Sequence, residues 1–399
     1  MISSKQCVKE IKQSLKLFNK KKKYLLHEPF LDKSDSTQIN KCIYSTFVSS
    51  VSGYTNIFEK ELSKFTGSKY VVAMVTGTAA IEIALKSVGV KKDEEVLIPN
   101  ANYIASANST LQIGAIPHFI DIDKSNLGID INKLSIYLKK ITLIKNGKLI
   151  NKKTKRIISA IMPTHIFGNT CDVLKLLNLT KKFKIKIIED SSEALGSFYK
   201  NKHLGTFGKV GILSFNGNKI MTTGAGGALL TDDKKIFDKA LHLSKISRKQ
   251  NNYWEYDYSQ LGHNYRMPGI NAALGISQLK KVKKILKIKK KIYNIYTRAF
   301  KNSKNISLIK ENKNCNSNNW LNSIYISGCN LKIRNRIINE LNKKNIFVRP
   351  LWKLMHKISY LKKYPKMSIS NSIIVEKSLI SLPSSTNLKN WKIWWKKKF

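Results

Sequence analysis

The sequence predicts an α/β fold in which a mostly parallel sheet lies between helices, followed by a smaller α+β domain. The first observation is that short apolar runs alternate with helical patterns between residues 40 and 190. Strands that alternate with helices form largely parallel sheets with helices on both faces. The second observation is a change near residue 270 to a long, lysine-rich helical pattern, which predicts the smaller domain.

The predicted strands of the large domain are apolar runs of the length that buried parallel strands need. They cover residues 71–75, 96–98, 118–122, 157–162 and 185–188, and helical patterns cover residues 79–88 and 174–183. The next part of the chain, from Gly205 to Gly227, is punctuated by glycine. Because parallel sheets place their sites at the carboxyl ends of strands, the residues that follow these runs are the first candidates for chemistry.

Three regions are expected along the chain. Residues 1–30 are predicted to form a basic helical extension, residues 31–270 the large domain and residues 271–399 the small domain. The extension rests on an amphipathic pattern over residues 5–25, and the small domain starts with a long helix over about residues 271–301. The aromatic, basic tail at residues 391–399 is expected to be a terminal helix that packs its tryptophans, rather than a membrane-surface anchor.

The charge is the most unusual property of the sequence. The 399 residues include 72 Lys and Arg against 25 Asp and Glu, which gives a net charge of +47. Such a balance usually indicates a nucleic acid or another polyanion as partner. However, seven of the 72 are arginines, and the remaining 65 lysines are spread along the whole chain with abundant Asn and Ile. These three residue types have A/T-rich codons, so composition bias is the favoured interpretation and a polyanion-binding protein is the alternative.

Several classes are disfavoured by what the sequence lacks. No run approaches the ~18–20 apolar residues of a membrane helix, and the N-terminus has no apolar signal-peptide region. The cysteines are odd in number and have no C-x-x-C pair, which argues against a disulfide framework or a zinc site; they are Cys7, Cys42, Cys171, Cys315 and Cys329. We therefore expect a cytoplasmic protein without a metal site.

Three features are candidates for chemistry. Gly77 and Thr78 follow an apolar run and open a helical pattern, and a helix N-terminus can hold a phosphate, although it can also be a plain N-cap. Glu189 and Asp190 end another run, so one carboxylate should face a pocket and the other should face away. Lys219 sits among small, polar and glycine residues, in a setting where a lysine can form a Schiff base.

The three features together fit pyridoxal phosphate (PLP). Its aldehyde needs a lysine, its ring nitrogen needs an acid and its phosphate needs a helix end. The sequence has no P-loop, no dinucleotide-binding glycine motif after a strand and no H-E-x-x-H zinc motif. PLP is therefore the single cofactor that explains all three.

The chain resembles the DegT/DnrJ/EryC1/StrS family of nucleotide-sugar aminotransferases over about residues 25–385. The resemblance lies in Pro99 and in residues 47–51, 75–80, 114–117, 119–123, 163–168, 189–190, 194–196, 205–208, 214–219, 223–227, 262–267, 320–322 and 349–352. The start at residues 26–29 and the sequence Ser-Phe-Asn-Gly-Asn-Lys at residues 214–219 look most similar to the LegC-type branch, which aminates UDP-linked 4-keto-6-deoxy sugars. The resemblance implies fold type I of PLP enzymes, with a mixed, mostly parallel seven-stranded sheet in the large domain.

The resemblance also implies roles for individual residues. Lys219 corresponds to the Schiff-base lysine and Asp190 to the partner of the pyridinium nitrogen. Gly77, Thr78 and Ser214 correspond to phosphate ligands. The remaining expected cofactor contacts are Tyr103, which stacks on the ring, Glu193, where many members have glutamine, and Asn264, which reaches the cofactor phosphate of the neighbouring subunit.

Further residues are candidates for a sugar-nucleotide cleft, with a structural role as the alternative for each. Arginine suits a diphosphate or a carboxylate because its planar fork bonds two oxygens. The candidates are His165, Arg266, Arg349, Trp352 and His356.

The activity implied by the resemblance is transamination. The amino donor, by family habit L-glutamate, displaces Lys219, and the amino group then passes to a keto carbon, C4 in the LegC-type branch, of a nucleotide-linked keto-deoxy sugar. A 3-keto-sugar aminotransferase of the same fold stays open, whereas a dehydratase is disfavoured because that branch has histidine at the lysine position. The resemblance also implies a homodimer with shared active sites.

Overall fold

The computed structural model describes residues 3–249, 254 and 256–388. The predicted tail helix at residues 391–399 lies outside the described residues. Within them the helices are α1 (Ser4–Leu15), α2 (Lys33–Tyr44), α3 (Gly53–Thr66), α4 (Gly77–Ser87), α5 (Ala105–Gln112), α6 (Ile131–Ile141), α7 (Val173–Phe183), α8 (Lys234–Ser244), α9 (Gly269–Ala299), α10 (Leu331–Lys343) and α11 (Ser370–Ser378).

The strands of the same residues fall into four sheets. They are β1 (Tyr70–Met74), β2 (Glu95–Pro99), β3 (Ile116–Ile120), β4 (Thr142–Lys145), β5 (Lys148–Asn151), β6 (Ile158–Ile161), β7 (Lys186–Asp190), β8 (Phe198–Tyr199), β9 (Lys202–His203), β10 (Val210–Ser214), β11 (Gly227–Thr231), β12 (Ile306–Leu308), β13 (Cys315–Asn316), β14 (Asn322–Ile326), β15 (Arg349–Pro350) and β16 (Leu379–Leu382).

The central sheet has seven strands in the order β1-β11-β10-β7-β6-β2-β3. β11 runs antiparallel to both of its neighbours, and the pairs from β10 to β3 are all parallel. This is the mixed, mostly parallel seven-stranded sheet that the family resemblance implies, and the predicted fold class is confirmed.

Helices cover both faces of this sheet, and β1 shows how its residues are divided between them. Val71 and Ala73 pack into a core with Phe58 of α3. Val72 and Met74 pack into a second core with Ile81 of α4 and other side chains. This alternation follows from the two-residue period of a strand, so an uninterrupted apolar run supplies two cores at once.

Two strands of the central sheet were not predicted: β10 lies in the glycine-rich stretch, and β11 begins at its last glycine, Gly227. Their glycines allow close backbone approach. A Cβ atom on Gly227 would lie 2.5 Å from the backbone of Gly77 and Thr76, and one on Gly211 would lie 2.0 Å from the carbonyl oxygen of Gly205. Glycine at these positions therefore marks tight packing around the sheet rather than a break in it.

The smaller sheet, in the order β12-β14-β16-β15, is antiparallel throughout. The long helix α9 joins the two parts, since Ile276 near its start packs into the core with α3 and Ile292 further along packs into the core of the smaller sheet. Ile11 of α1 is buried in that same second core. The N-terminal helix is thus packed against the residues that follow α9.

The N-terminal helix is shorter than the sequence pattern predicts. It ends at Leu15, and the backbone of Tyr24 forms a parallel bridge with Ile346. The N–H of Tyr24 donates to the carbonyl of Asn345, and the N–H of Phe347 donates to the carbonyl of Tyr24. The prediction of helix up to residue 25 was wrong because these backbone groups pair with another segment instead of with their own turn. In the described part of the chain, no helix is long and apolar enough to cross a membrane.

Candidate active site

A cavity of about 720 Å³ opens at the carboxyl edge of the central sheet. Its floor comes from the residues that end or follow β1, β7 and β10. Its opposite wall comes from the N-terminal segment and from the residues around the smaller sheet. Of the residues that the sequence singled out, it is lined by Gly77, Thr78, Tyr103, Asp190, Glu193, Ser214, Lys219, Arg349 and Trp352.

The N-terminus of α4 forms one end of the cavity floor. Thr76 is the N-cap, and its hydroxyl oxygen accepts a hydrogen bond from the N–H of Ala79 at 3.0 Å. The N–H groups of Gly77 and Thr78 have no carbonyl in their own helix to bond, and they carry the positive end of its dipole. A Cβ atom on Gly77 would lie 3.0 Å from the Cβ atom of Ser214. This close approach brings a serine hydroxyl beside the helix end, where an anion can bind.

Asp190 ends β7 and is 5% exposed. Its Oδ2 accepts a hydrogen bond from the hydroxyl of Ser106 at 2.9 Å, and that serine in turn accepts one from the amide of Asn102. Its Oδ1 accepts one from the N–H of Ser192. The carboxylate is therefore held at the cavity floor by neutral donors, which leaves its charge available to a cationic ligand group.

Glu189, the neighbouring carboxylate, faces the other way, as strand alternation predicts. Oε1 accepts hydrogen bonds from the N–H groups of Phe207 and Gly208. Oε2 accepts one from the N–H of Gly205 and lies 2.9 Å from Nε2 of His165. Burial by itself raises the pKa of Glu189, but the hydrogen bonds outweigh burial and hold the pKa below its ordinary value. Glu189 thus fixes the loop before β10, and it does not line the cavity.

Lys219 lies in the turn after β10, and its side chain is 15% exposed. Its Nζ is 3.3 Å from Oε1 of Glu193 and 4.2 Å from the centre of the Trp320 ring. The other oxygen of Glu193 accepts a hydrogen bond from the N–H of Phe167 at 2.9 Å. Burial raises the pKa of Glu193, and the positive charge of Lys219 opposes that rise.

The residues around the cavity fit PLP. A primary amine, a carboxylate and a helix N-terminus with two hydroxyls suit its aldehyde, its ring nitrogen and its phosphate. Any side chain at position 77 would press against Ser214 in this cradle, since its Cβ atom would lie 3.0 Å from that of the serine. Tyr103, which is 54% exposed, and Trp352 supply aromatic surface at the mouth, with ring centres 6.1 Å apart.

Four predicted site residues do not line the cavity. His165 is buried against Glu189, and His356 lies against Asn100 with Nδ1 3.1 Å from its side-chain oxygen. Arg266 is buried, with its guanidinium paired to Glu59 and donating to the carbonyl of Ala73. These three side chains are occupied by structural partners, so the structure does not support the expectation that they line a substrate cleft.

Asn264 is the fourth residue outside the cavity of its own chain. It is exposed, and its backbone forms a bridge with Lys245. Its side chain is therefore accessible to a neighbouring subunit.

The wall that faces the cofactor residues was predicted only at Arg349 and Trp352. Leu25, Leu26 and His27 line the cavity from the N-terminal segment, and Trp320 and Asn342 line it from the segments after α9. Burial lowers the pKa of His27 well below its ordinary value, and the charges of Lys289 and Lys219 lower it further, so the ring is neutral. No motif marks these residues as a set, because they come together only when the N-terminal segment pairs with residues 345–347.

Comparison with known families gives one consistent result. The model of the DegT/DnrJ/EryC1/StrS aminotransferase family matches residues 29–393. The chain is 32% identical to the GDP-perosamine synthase of Escherichia coli O157:H7, over 92% of this chain and 95% of that protein. It is 30% identical to the UDP-4-amino-4,6-dideoxy-N-acetyl-beta-L-altrosamine transaminase of Campylobacter jejuni, over 91% of this chain and 93% of that protein.

A solved structure of similar fold is that of Helicobacter pylori PseC, an aminotransferase involved in the biosynthesis of pseudoaminic acid. It superposes with a TM-score of 0.83 at 26% identity, and the match covers 93% of this chain and 95% of that one. A GDP-4-keto-6-deoxy-D-mannose-3-dehydratase of E. coli has the same fold, with a TM-score of 0.80 at 22% identity. Overall shape therefore does not separate transamination from dehydration. The two activities have to be distinguished by the residues in the cavity.

Proposed function

Because the chain belongs to the DegT/DnrJ/EryC1/StrS aminotransferase family and is a PLP-dependent sugar aminotransferase, we propose that it aminates C4 of a nucleotide-linked 4-keto-6-deoxy sugar, with L-glutamate as amino donor. The observation that carries transamination in this proposal is the placement of one lysine, Lys219, in the cavity that also holds Asp190 and the N-terminus of α4. A histidine at this position would favour dehydration instead.

Some cavity residues are proposed to bind the cofactor, and others to hold or transfer protons. When bound, PLP supplies a carbonyl that takes up the amino group and a ring that withdraws electrons. The N–H groups of Gly77 and Thr78, with the hydroxyl of Ser214, bind its phosphate. Asp190 keeps a proton on the ring nitrogen, and Lys219, once displaced by the amino donor, moves a proton at the substrate carbon as general base and acid.

Two observations support the choice of substrate. The C. jejuni relative is named for a UDP-linked 4-amino-4,6-dideoxy sugar, and the E. coli relative is named for a GDP-linked product. Arg349, exposed at the cavity mouth on β15, is a suitable ligand for a nucleoside diphosphate. Among the two nucleotides we propose UDP, following the LegC-type resemblance at residues 26–29 and 214–219.

The substrate proposal is tested by a product assay. The purified protein is incubated with L-glutamate and, in turn, UDP-, GDP- and dTDP-linked 4-keto-6-deoxy sugars and their 3-keto isomers, and each product is identified by mass spectrometry and NMR. We expect a 4-amino product from a UDP-linked sugar. A 3-amino product, or amination of a GDP-linked or dTDP-linked sugar in preference, would replace the proposed substrate with that one.

We also propose a homodimer whose two sites share residues. Residues 44–51 expose several large apolar side chains, among which Tyr44 is 83% and Val51 is 81% exposed. This segment is held beside the start of α9, where the N–H of Ile270 donates to the carbonyl of Val48. A cluster of exposed apolar side chains suits contact with a second copy of the chain, and two-fold dimers are the commonest oligomers.

Mixing inactive variants tests whether Asn264 acts in the partner's site. Lys219→Ala and Asn264→Ala proteins are combined under conditions that exchange subunits. If Asn264 acts across the dimer, each mixed dimer has one site with both changes and one site with neither, so activity returns. Absence of recovery, with mixed dimers demonstrated by mass spectrometry, would contradict the shared site.

A further inference from the structure

Two different groups, a carboxylate and an aromatic ring, contact the side-chain nitrogen of Lys219. Oε1 of Glu193 lies 3.3 Å from Nζ, and the ring of Trp320 presents its face to the same nitrogen at 4.2 Å. A carboxylate and an aromatic face both favour the charged form of an amine over the neutral form. The groups around this nitrogen therefore suit an ammonium group.

The aromatic half of this place is rigid. Trp320 is 3% exposed, and its indole N–H donates to the carbonyl of Asn218 at 2.6 Å. Its backbone N–H donates to the side-chain oxygen of Asn318 at 2.9 Å. Its carbonyl accepts a hydrogen bond from Nζ of Lys289 at 2.6 Å. Three partners thus fix both the ring and the backbone of this one residue.

The support from Lys289 is itself unusual. This lysine of α9 is fully buried, and it also donates to the carbonyl of Ser384 at 2.5 Å. Burial lowers its pKa well below the ordinary value. A lysine inside a protein is costly unless its donors are bonded. Here the bonds join α9, the Trp320 segment and the end of the smaller sheet, so the position of Trp320 is tied to the packing of the smaller sheet.

The carboxylate half is equally fixed. Glu193 is 6% exposed, and its Oε2 accepts the N–H of Phe167 at 2.9 Å, which leaves Oε1 directed at Lys219. The two halves come from different parts of the molecule, the loop after β7 and the segment before β14. They converge on the nitrogen of one flexible side chain.

We propose that Glu193 and Trp320 form a resting place for the free ammonium of Lys219, used in the stages of turnover when this lysine is not bonded to the cofactor. The proposal rests on the role of Lys219 given under Proposed function. An amine displaced into a cavity needs a partner for its charge, and its chain must be kept near the reacting carbon to act again. Glu193 and Trp320 are positioning residues in this account, since they act through Lys219.

The test is a labelling experiment on the full-length protein after its cofactor has been dialysed away. Trace acetic anhydride acylates neutral amines only, and the label on Lys219 is measured by mass spectrometry against exposed lysines in the same digest. We expect Glu193→Gln to raise the relative labelling of Lys219 by about ten-fold and Trp320→Leu by about five-fold, because each change destabilises the ammonium form. Trp320→Phe keeps an aromatic face and is expected to stay within about two-fold of wild type.

Trp352→Leu is the matched control, because it removes a tryptophan that lines the same cavity without being one of the groups proposed to hold Lys219. It also enlarges the cavity by removing an indole ring, and it should leave the relative labelling unchanged. Unchanged or lower labelling in Glu193→Gln and Trp320→Leu overturns the proposal, and so does an equal rise in Trp352→Leu. If Trp320→Leu does not fold, the relative labelling of Lys219 in Glu193→Gln and Trp320→Phe tests the proposal. No sugar or turnover enters this experiment, so its failure is distinct from retained activity in Lys219→Ala, which would refute the proposed role of the lysine.

Discussion

The two walls of the cavity differ in how they are built. The floor consists of residues at the ends of β1, β7 and β10, which are strands of a single sheet, so Gly77, Asp190 and Ser214 are brought together by strand order alone. The opposite wall joins the N-terminal segment to residues around β14 and β15, more than 290 positions later in the chain. The floor is therefore set by the strand order of one sheet, whereas the opposite wall depends on the packing of distant segments.

The largest loss of activity is expected from a substitution at the centre of the cavity floor. Lys219→Ala removes both the amine that bonds the cofactor and the group that moves the proton, so kcat should fall by about 10⁴-fold or more. The fold should persist, because the side chain supports no buried core. Steady-state assays and thermal melting measure the two quantities. Transamination at more than a hundredth of the wild-type rate would remove Lys219 from its proposed role.

A smaller loss is expected from Asp190→Asn. An amide keeps the size of the side chain and its contact with Ser106, but it carries no charge to hold a proton on the ring nitrogen. We expect kcat to fall by about 10²-fold while the protein still binds PLP, as measured by absorbance after gel filtration. A kcat near the wild-type value would show that Asp190 does not have this role.

These floor residues are also the part of the site that the sequence predicted well. Thr78 and Asp190 come at the ends of short apolar runs, Lys219 sits among small, polar and glycine residues, and all three line one cavity. The sequence did not predict His27 or Trp320 as site residues, because nothing local connects positions 27 and 320. It also placed no strands at β10 and β11, where a glycine required by close packing adjoins each short apolar run. Arg266 and His356 were misjudged because a polar side chain in a sequence does not reveal whether a structural partner will occupy it.

The opposite wall should respond differently from the floor. Arg349→Ala removes an exposed cation at the cavity mouth that is proposed to bind the diphosphate, so KM for the nucleotide sugar should rise by about ten-fold with little change in KM for glutamate. Varying each substrate at a fixed level of the other separates the two constants. Equal rises for both substrates would place Arg349 at the donor carboxylate instead of at the nucleotide.

The smallest effect is expected outside both walls. His356→Ala changes a residue that lies against Asn100 and does not line the cavity, so kcat and both KM values should stay within about two-fold of wild type. This variant also controls for general damage near the substrate side. A ten-fold rise in KM for the sugar would show that the wall extends further than the described cavity.

We propose that one lysine among 65, Lys219, bonds the cofactor. This proposal is tested most directly by loading the protein with PLP, reducing it with borohydride so that the cofactor becomes permanently attached, and mapping the added mass by peptide mass spectrometry. The structure predicts a single modified site at Lys219, absent from Lys219→Ala and present in Trp352→Leu. Attachment at another lysine of the wild-type protein, with Lys219 unmodified, would contradict the account.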